Sequence, residues 1–316
     1  MGTLQVITPS KWPRLPNRCY DRGVTDPTSR PARSARADSR EVTELKALRE
    51  THPELEDAID MHVELLELQR RIQGRVPLPW MELTADVLAR HQAEARPVLR
   101  FEDIPLDLTD LRLTVRQTAD IMRRFGVLEE ADYQRVQTLG RDMKLVTVVG
   151  DWYRRPTGNQ AVAAVGTVGA VPEAPPNEAV TQVIALAMRP FLCRCAEVLQ
   201  QRPELATWAH PLCALCGGEP DFSVITPAAE RHLICSRCAL RWKFEPLTCP
   251  YCRNADRARV TSFATPDGQY RVYACDVCRR YLKAYDARRA TRPVMPVVDA
   301  VATLPLDAAA IQRGYS

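Results

Sequence analysis

The chain has 316 residues, enough for two or three domains, with 46% hydrophobic residues, 26% charged residues and a formal net charge of +4. No stretch approaches the roughly 18 consecutive apolar residues of a membrane-spanning helix, so no membrane span is predicted. The first residues contain no apolar segment of the kind found in secretory signals, which predicts a cytoplasmic protein.

Residues 1–43 are predicted to form a disordered basic extension. The first 40 residues are rich in Pro, Arg, Ser and Thr, carry eight Lys or Arg against three Asp, and show no apolar periodicity. A nucleic-acid-binding arm is the alternative. The basic charge is dispersed and interrupted, however, and this favours an unstructured extension.

Residues 44–204 are predicted to form an all-helical domain. Its first long helix is expected to begin at Thr51, with Glu54 completing a capping box, and to end at Gly74. Apolar residues recur there at three- and four-residue steps, and His62 lies on this stripe. We therefore expect His62 to be a packed side chain rather than a metal ligand.

Further helices are predicted at 80–95, 110–125, 129–145 and from an Asn177 cap to about Leu199. A segment rich in Gly, Ala, Val and Pro, residues 154–177, is expected to be a linker before the last of them. Pro190 lies inside this last helix and is expected to kink or restart it.

Cys193 and Cys195 lie in the last predicted helix, two positions apart and therefore about 200° apart around its axis. They cannot easily bind one metal ion, and Cys195 fits the apolar stripe as a small core residue. Residues 41–204 are acidic, with 26 Asp or Glu against 20 Lys or Arg. It shows no recognisable catalytic constellation, so no catalytic residue is predicted.

Eight of the eleven cysteines lie within residues 213–278, as four Cys-x-x-Cys pairs. In a reducing compartment this density indicates metal binding or redox chemistry rather than disulfides. Two such pairs offered by neighbouring hairpins complete a tetrahedral four-cysteine site. The predicted ligands of two ions are Cys213, Cys216, Cys235, Cys238, Cys249, Cys252, Cys275 and Cys278. The simplest pairing is sequential, four and four, and an interleaved pairing is also compatible with the sequence.

The surroundings of the pairs favour metal over a thioredoxin-like redox role, because no βαβ pattern surrounds any of them. Gly217 follows the first pair, where a positive φ is often needed, whereas Ala239, Arg253 and Arg279 predict less ideal turns. A closed four-ligand site leaves no position for activating water, which argues against a hydrolase. Zinc and iron both accept four thiolates, so either ion fits.

The segments between the pairs predict two small zinc-ribbon-like modules, residues 205–246 and residues 247–316, the second including a C-terminal segment. Because each is too small for a full core, metal should supply much of its stability, about 10 kcal/mol per zinc site. His210 and His232 flank the cysteines and are expected to be spectators, since eight thiols fill two sites. Strands are predicted at 221–226, 231–236, 258–265 and 270–275, with a turn at 265–268.

Nucleic-acid binding is the alternative function that the ribbons raise. Residues 205–316 hold 15 Lys or Arg and 10 Asp or Glu. Eight thiolates with two divalent ions bring this part to about +1, or about +3 with ferric iron, which is no strong electrostatic footprint. The arginines near the pairs are interpreted as a solvated basic face; they are Arg237, Arg241, Arg253, Arg257 and Arg259.

Four segments together resemble the formate dehydrogenase accessory protein family, FdhE. They are "HPLCALCGGEPDFSVI", "RHLICSRCALRWKFEPLTCPYC", "YRVYACDVCRRYLKAYD" and "PVVDAVATLPLDAAAIQRGY". The segment "LRETHPELEDAIDMHVELLELQ" is similar to the first helix of the same family. The resemblance covers roughly residues 44–315. One departure is Ala300, which stands where many relatives carry a second acidic residue after Asp299.

The resemblance implies an α+β fold in which an all-helical domain precedes two small rubredoxin-like modules, each with two Cys-x-x-Cys pairs. It implies a cytoplasmic accessory protein, not an enzyme. Such a protein binds the catalytic (alpha) subunit of formate dehydrogenase and supports its maturation or activation before export. Iron is a plausible ion, and an iron-thiolate redox carrier is therefore a second alternative. The oligomeric state is not predicted.

Overall fold

The computed structural model describes residues 38–81, 83–155, 177–290 and 292–316. Most of the predicted extension and of the predicted linker lies outside these ranges. The N-terminal part of the described chain is helical. Its helices are α1 Arg40–Thr51, α2 Glu56–Gln73, α3 Ala85–Glu94, α4 Leu108–Arg124, α5 Glu130–Leu139, α6 Leu145–Arg154 and α7 Glu178–Leu199.

Helices α2, α4 and α7 pack against one another and form the centre of the helical part. Their apolar faces recur every three or four residues, and Leu111, Val115 and Met188 are fully buried between them. The side chain of Gln69 in α2 donates to the carbonyl of Leu186 in α7 at 3.0 Å, which fixes these two helices against each other.

The predicted capping box at Thr51 is wrong. Thr51 is the last residue of α1, and its hydroxyl donates to the carbonyl of Leu48. Pro53 disfavours helical conformation at His52, so α1 stops there and a short 3-10 turn intervenes before α2 begins. The carboxylate of Glu54 accepts from His52 instead of from a helix N-cap.

Helix α1 begins at Arg40, before the predicted start of the helical domain, and the side chain of Ser39 caps it. Helix α2 ends at Gly74, as predicted. Asn177 caps α7 through the amide of Ala179, also as predicted. Helix α7 does not restart at Pro190 but continues through it as one element, because both of its halves are anchored in the core.

Helix α7 has the length and apolar composition that could cross a membrane, the one such helix in the part of the chain described here. More than half of its most apolar window, 56%, is buried inside the protein. The helix therefore packs in the core between α2 and α4.

The C-terminal part is one six-stranded sheet with the strand order β3-β2-β1-β6-β5-β4. The strands are β1 Pro220–Ile225, β2 Arg231–Cys235, β3 Arg241–Phe244, β4 Val260–Ala264, β5 Tyr270–Cys275 and β6 Tyr281–Asp286. Two short helices follow, α8 Pro296–Ala302 and α9 Leu304–Gln312. A helical N-terminal part followed by a β part with two cysteine groups confirms the predicted fold class.

The two predicted β modules are continuous with each other. Strands β1 to β3 form one antiparallel half and β4 to β6 the other. Strand β1 pairs in parallel with β6, with Phe222 opposite Lys283 and Val224 opposite Tyr285. This central pairing joins the two halves of the sheet through residues 61 positions apart in the chain.

Candidate metal centres

All four Cys-x-x-Cys turns adopt the same backbone geometry. In each turn, the amide four residues after the first cysteine donates to the carbonyl of that cysteine, at 2.9 to 3.0 Å. The amide of the first cysteine donates in turn to the carbonyl five residues later, at 2.8 to 3.0 Å. The residue after the second cysteine has φ between 58° and 69° in every case; these residues are Gly217, Ala239, Arg253 and Arg279.

The last three turns close in the same way as the first, but a residue with a Cβ stands at their left-handed position, which is why they are less ideal. The two hydrogen bonds close each loop and force the left-handed conformation on whichever residue stands there. Ala239, Arg253 and Arg279 adopt it at a cost of roughly 1–2 kcal/mol each, which Gly217 avoids.

The structure brings the eight cysteines together in sequential groups. The first group is Cys213, Cys216, Cys235 and Cys238, and the second is Cys249, Cys252, Cys275 and Cys278. Within each group the sulfur atoms all lie within 4.8 Å of one another. None of these eight cysteines forms a disulfide.

The sulfur positions fit a tetrahedral ion. In the first group the sulfur atoms of Cys213 and Cys238 lie 3.5 Å apart, and so do those of Cys216 and Cys235. The nearest pairs of the second group are 3.6 and 3.7 Å apart. Four sulfurs at the usual Zn–S distance of about 2.3 Å form a tetrahedron with edges of about 3.8 Å. Zinc and iron are both compatible with this donor set.

Electrostatics in the first group also favour a cation. Burial raises the pKa of the Cys213 and Cys238 thiols. The pKa of Cys216 is lowered, because the other three thiols of the group donate hydrogen bonds to it. Four buried thiolates repel one another, so all four can ionise only if a cation lies between them.

Backbone amides support the thiolate form as well. The amide of Arg237 donates to the sulfur of Cys235 at 3.4 Å. In the second group burial acts to raise the pKa of Cys275, but the amides of Cys278 and Val277 donate to its sulfur and help to lower that pKa. Such donors orient a ligating sulfur and stabilise its negative charge.

A buried arginine lies beside the second group. The side chain of Arg231 is 7% exposed, donates to the carbonyl of Thr248 at 2.9 Å and forms no ion pair with a described carboxylate. It lines a small cavity of about 20 Å³ together with Cys249 and Cys275. A four-thiolate centre with a divalent ion carries a net charge of −2, which supplies the counter-charge that Arg231 lacks.

The other predicted spectators lie outside both groups. Cys195 is fully buried in the core and Cys193 is half-buried. Histidine His210 donates to the carbonyl of Gln92, and His232 lies beside the carboxylate of Glu230. The ring of His62 donates to the carbonyl of Ala58 at 2.7 Å, as expected for a packed histidine.

The predicted basic face divides into two parts. Arg237 points inward, donating to the carbonyl of Tyr153, and Arg241 donates to the carbonyl of Val294. The remaining three arginines are exposed near the second group; they are Arg253, Arg257 and Arg259.

Sequence reasoning missed a buried polar network that holds α8 and α9 on the sheet. Asp299 is fully buried and accepts from the hydroxyl of Tyr270 at 2.8 Å and from Arg292 at 2.6 Å. Lys283 of β6 pairs with Asp307 of α9 at 2.5 Å. Lys283 lies in the "YLKAYD" segment, and Asp299 and Asp307 lie in the "VVDAVATLPLD" segment. Because Lys and Asp are usually exposed, the sequence gave no signal that these three side chains are buried.

Comparison with known proteins gives several curated relatives, while no protein-family profile matches the chain. The protein FdhE homolog of Shewanella oneidensis is 34% identical over 108 residues, 33% of this chain and 35% of the relative. The homolog of Stutzerimonas stutzeri is 31% identical over 109 residues, with the same coverage. That of Actinobacillus pleuropneumoniae is 26% identical over 133 residues, or 41% of this chain and 43% of the relative. The alignments thus span about a third to two fifths of these relatives.

The fold is shared over most of the chain with one solved structure, the crystal structure of the FdhE protein from Pseudomonas aeruginosa. The TM-score is 0.56 at 18% sequence identity, over 88% of this chain and 91% of that one. At this identity the likeness shows a common fold. The aligned part of the chain is thus similar to FdhE homologues, and the chain shares the fold of an FdhE protein.

Proposed function

We propose that this protein is a cytoplasmic, non-enzymatic accessory factor that binds the catalytic subunit of formate dehydrogenase and supports its maturation or activation before export. The family resemblance supplies the partner. The observation that carries the proposal is the pair of closed four-cysteine groups within an FdhE fold. In this proposal the eight cysteines bind two ions, iron or zinc, that make the sheet a rigid docking platform.

The geometry supports a binding role over a hydrolytic one. Each group offers four sulfurs to one ion, so the ion has no open position for water or a substrate. The ions would instead stabilise the turns, because each half of the sheet has only three strands and little core of its own.

Co-purification tests this proposal. Tagged full-length protein should capture the catalytic subunit of formate dehydrogenase from the same cells, and the Cys235→Ser, Cys238→Ser double variant should lose that capture. Cys193→Ser is the matched control, because Cys193 lies outside both groups. Circular dichroism must show that the helices of the double variant persist. No capture by the wild type, together with full formate dehydrogenase activity in cells lacking the protein, contradicts the proposal.

An iron-thiolate redox carrier is a second candidate, and the half-buried sulfurs of Cys252 and Cys278 favour it. This candidate requires a red protein whose ferric-thiolate absorption bleaches on reduction. A colourless protein with stoichiometric zinc dismisses it. Nucleic-acid binding has less support, because Arg237 and Arg241 bind backbone carbonyls of the protein itself.

A further inference from the structure

The two cysteine groups differ in their exposure to solvent. All four cysteines of the first group are at most 3% exposed. In the second group Cys249 and Cys275 are buried, whereas Cys252 and Cys278 are only half-buried. Between Cys275 and Cys278 the side chain of Val277 is 48% exposed, so the tip of this turn reaches the surface.

The first turn of the first group is bound to the helical part by backbone hydrogen bonds. The amides of Val98 and Leu99 donate to the carbonyls of Ala214 and Leu215, both at 2.9 Å. Ala214 and Leu215 are the two residues between Cys213 and Cys216. Any movement of this turn therefore breaks contacts with the segment that follows α3.

The second turn of the first group is bound to the helical part by two arginines. Arg189 of α7 donates to the carbonyl of Ser236 at 3.0 Å. Arg237 donates to the carbonyl of Tyr153 in α6 at 3.2 Å, and its guanidinium lies 4.7 Å from the ring centre of Trp152. Both turns of the first group thus connect the sheet to the helices.

The second group lacks such connections among the described residues. The hydroxyl of Tyr251, in its first turn, donates to the carbonyl of Pro220 in β1. Asp276, in its second turn, accepts from the hydroxyl of Tyr315 near the C-terminus. These bonds stay within the C-terminal part, so the second group can open without separating sheet from helices.

We infer that the two centres have different roles: the first holds a structural ion that fastens the sheet to the helical part, and the second is open to incoming thiols and chelators. This inference rests on the proposed binding of two ions. Ligand exchange requires an incoming donor, or water that protonates a departing sulfur, to reach the centre. Only the second centre offers sulfur atoms on a surface from which such a donor can approach.

Release of zinc from the full-length protein tests this difference. Protein loaded with two zinc ions is mixed with an excess of the chromogenic chelator pyridylazoresorcinol. We expect two phases of equal amplitude, the first roughly tenfold faster, as a barrier difference of about 1.4 kcal/mol produces. The Cys252→Ser, Cys278→Ser variant should bind one ion and show only the slow phase.

Native mass spectrometry during the release gives an independent measurement on the wild type. The species with one ion should accumulate. It should keep the wild-type near-ultraviolet circular dichroism of the aromatic side chains where the sheet meets the helical part. Release of both ions in one phase overturns the inference while leaving the proposed metal binding intact. A fast phase that persists in the Cys252→Ser, Cys278→Ser variant also overturns it. A wild type that binds no ion overturns both.

Discussion

The ammonium group of Lys283 lies 2.5 Å from the carboxylate of Asp307, and both side chains are almost completely buried between β6 and α9. The hydroxyl of Tyr281 also donates to Asp307, at 2.8 Å. This ion pair connects the strand that joins the two halves of the sheet to the last helix. The sheet and the C-terminal helices therefore depend on each other.

We predict that Lys283→Met lowers the free energy of unfolding by about 3–5 kcal/mol, because it leaves the charge of Asp307 buried without a partner. The double variant Lys283→Met, Asp307→Leu should recover most of this loss, since it removes both charges. Urea denaturation of the metal-loaded proteins measures the difference. Equal stability of the single variant and the wild type would contradict this role of the ion pair.

Arg231 should strengthen ion binding at the second centre. Its guanidinium has no described carboxylate partner, and its side chain lines the same cavity as Cys249 and Cys275. Arg231→Met should weaken retention of one of the two ions by roughly tenfold in chelator competition, a change of about 1.4 kcal/mol. Arg231→Lys keeps the charge and should lose much less. If the two variants retain metal equally well, the charge of Arg231 does not act on the centre.

The left-handed residue after the third pair should carry a measurable cost. Arg253 has φ of 66° and an exposed side chain with no described partner. Arg253→Gly should stabilise the protein by about 1 kcal/mol, whereas Arg253→Ala should not, because only glycine relieves the strain at Cβ. Thermal unfolding of both variants in parallel decides this; equal melting temperatures would contradict the assigned strain.

Stability should fall as the pH is lowered through the titration range of His62. Burial lowers the pKa of His62, and the positive charge of Arg189 lowers it further. Below about pH 6.5 the unfolded chain therefore binds a proton at His62 that the folded protein does not yet bind. The free energy of unfolding then falls by up to about 1.4 kcal/mol for each pH unit. His62→Gln should reduce this slope between pH 7.5 and 5.5. An unchanged slope in urea denaturation would show that His62 does not titrate as expected.

Local sequence signals predicted the cysteine groups, because closely spaced thiol pairs have few other uses in a reducing compartment. The strands beside them followed from β-branched and aromatic residues, as at 270–275, where β5 lies. Strand β6 and its parallel pairing with β1 were not predicted, because no local pattern encodes a register between Phe222 and Lys283.

Two further differences between prediction and structure concern a helix start and a buried carboxylate. Thr51 and Glu54 had the spacing of a capping box, but the chain breaks at His52 and the box does not form. Asp299 is polar in sequence yet fully buried, because Tyr270 and Arg292 reach it from distant or looped positions. The first outcome follows from the local effect of Pro53 on His52. The second follows from tertiary contacts, which no local sequence pattern contains.

If the eight cysteines hold two ions per chain, the mass of the anaerobically purified full-length protein must show them. Spectra recorded under native and denaturing conditions should differ by the mass of two zinc or iron ions, with the eight thiols resistant to alkylation until the ions are removed. Equal masses under both conditions, or cysteines joined in disulfides, would contradict the account.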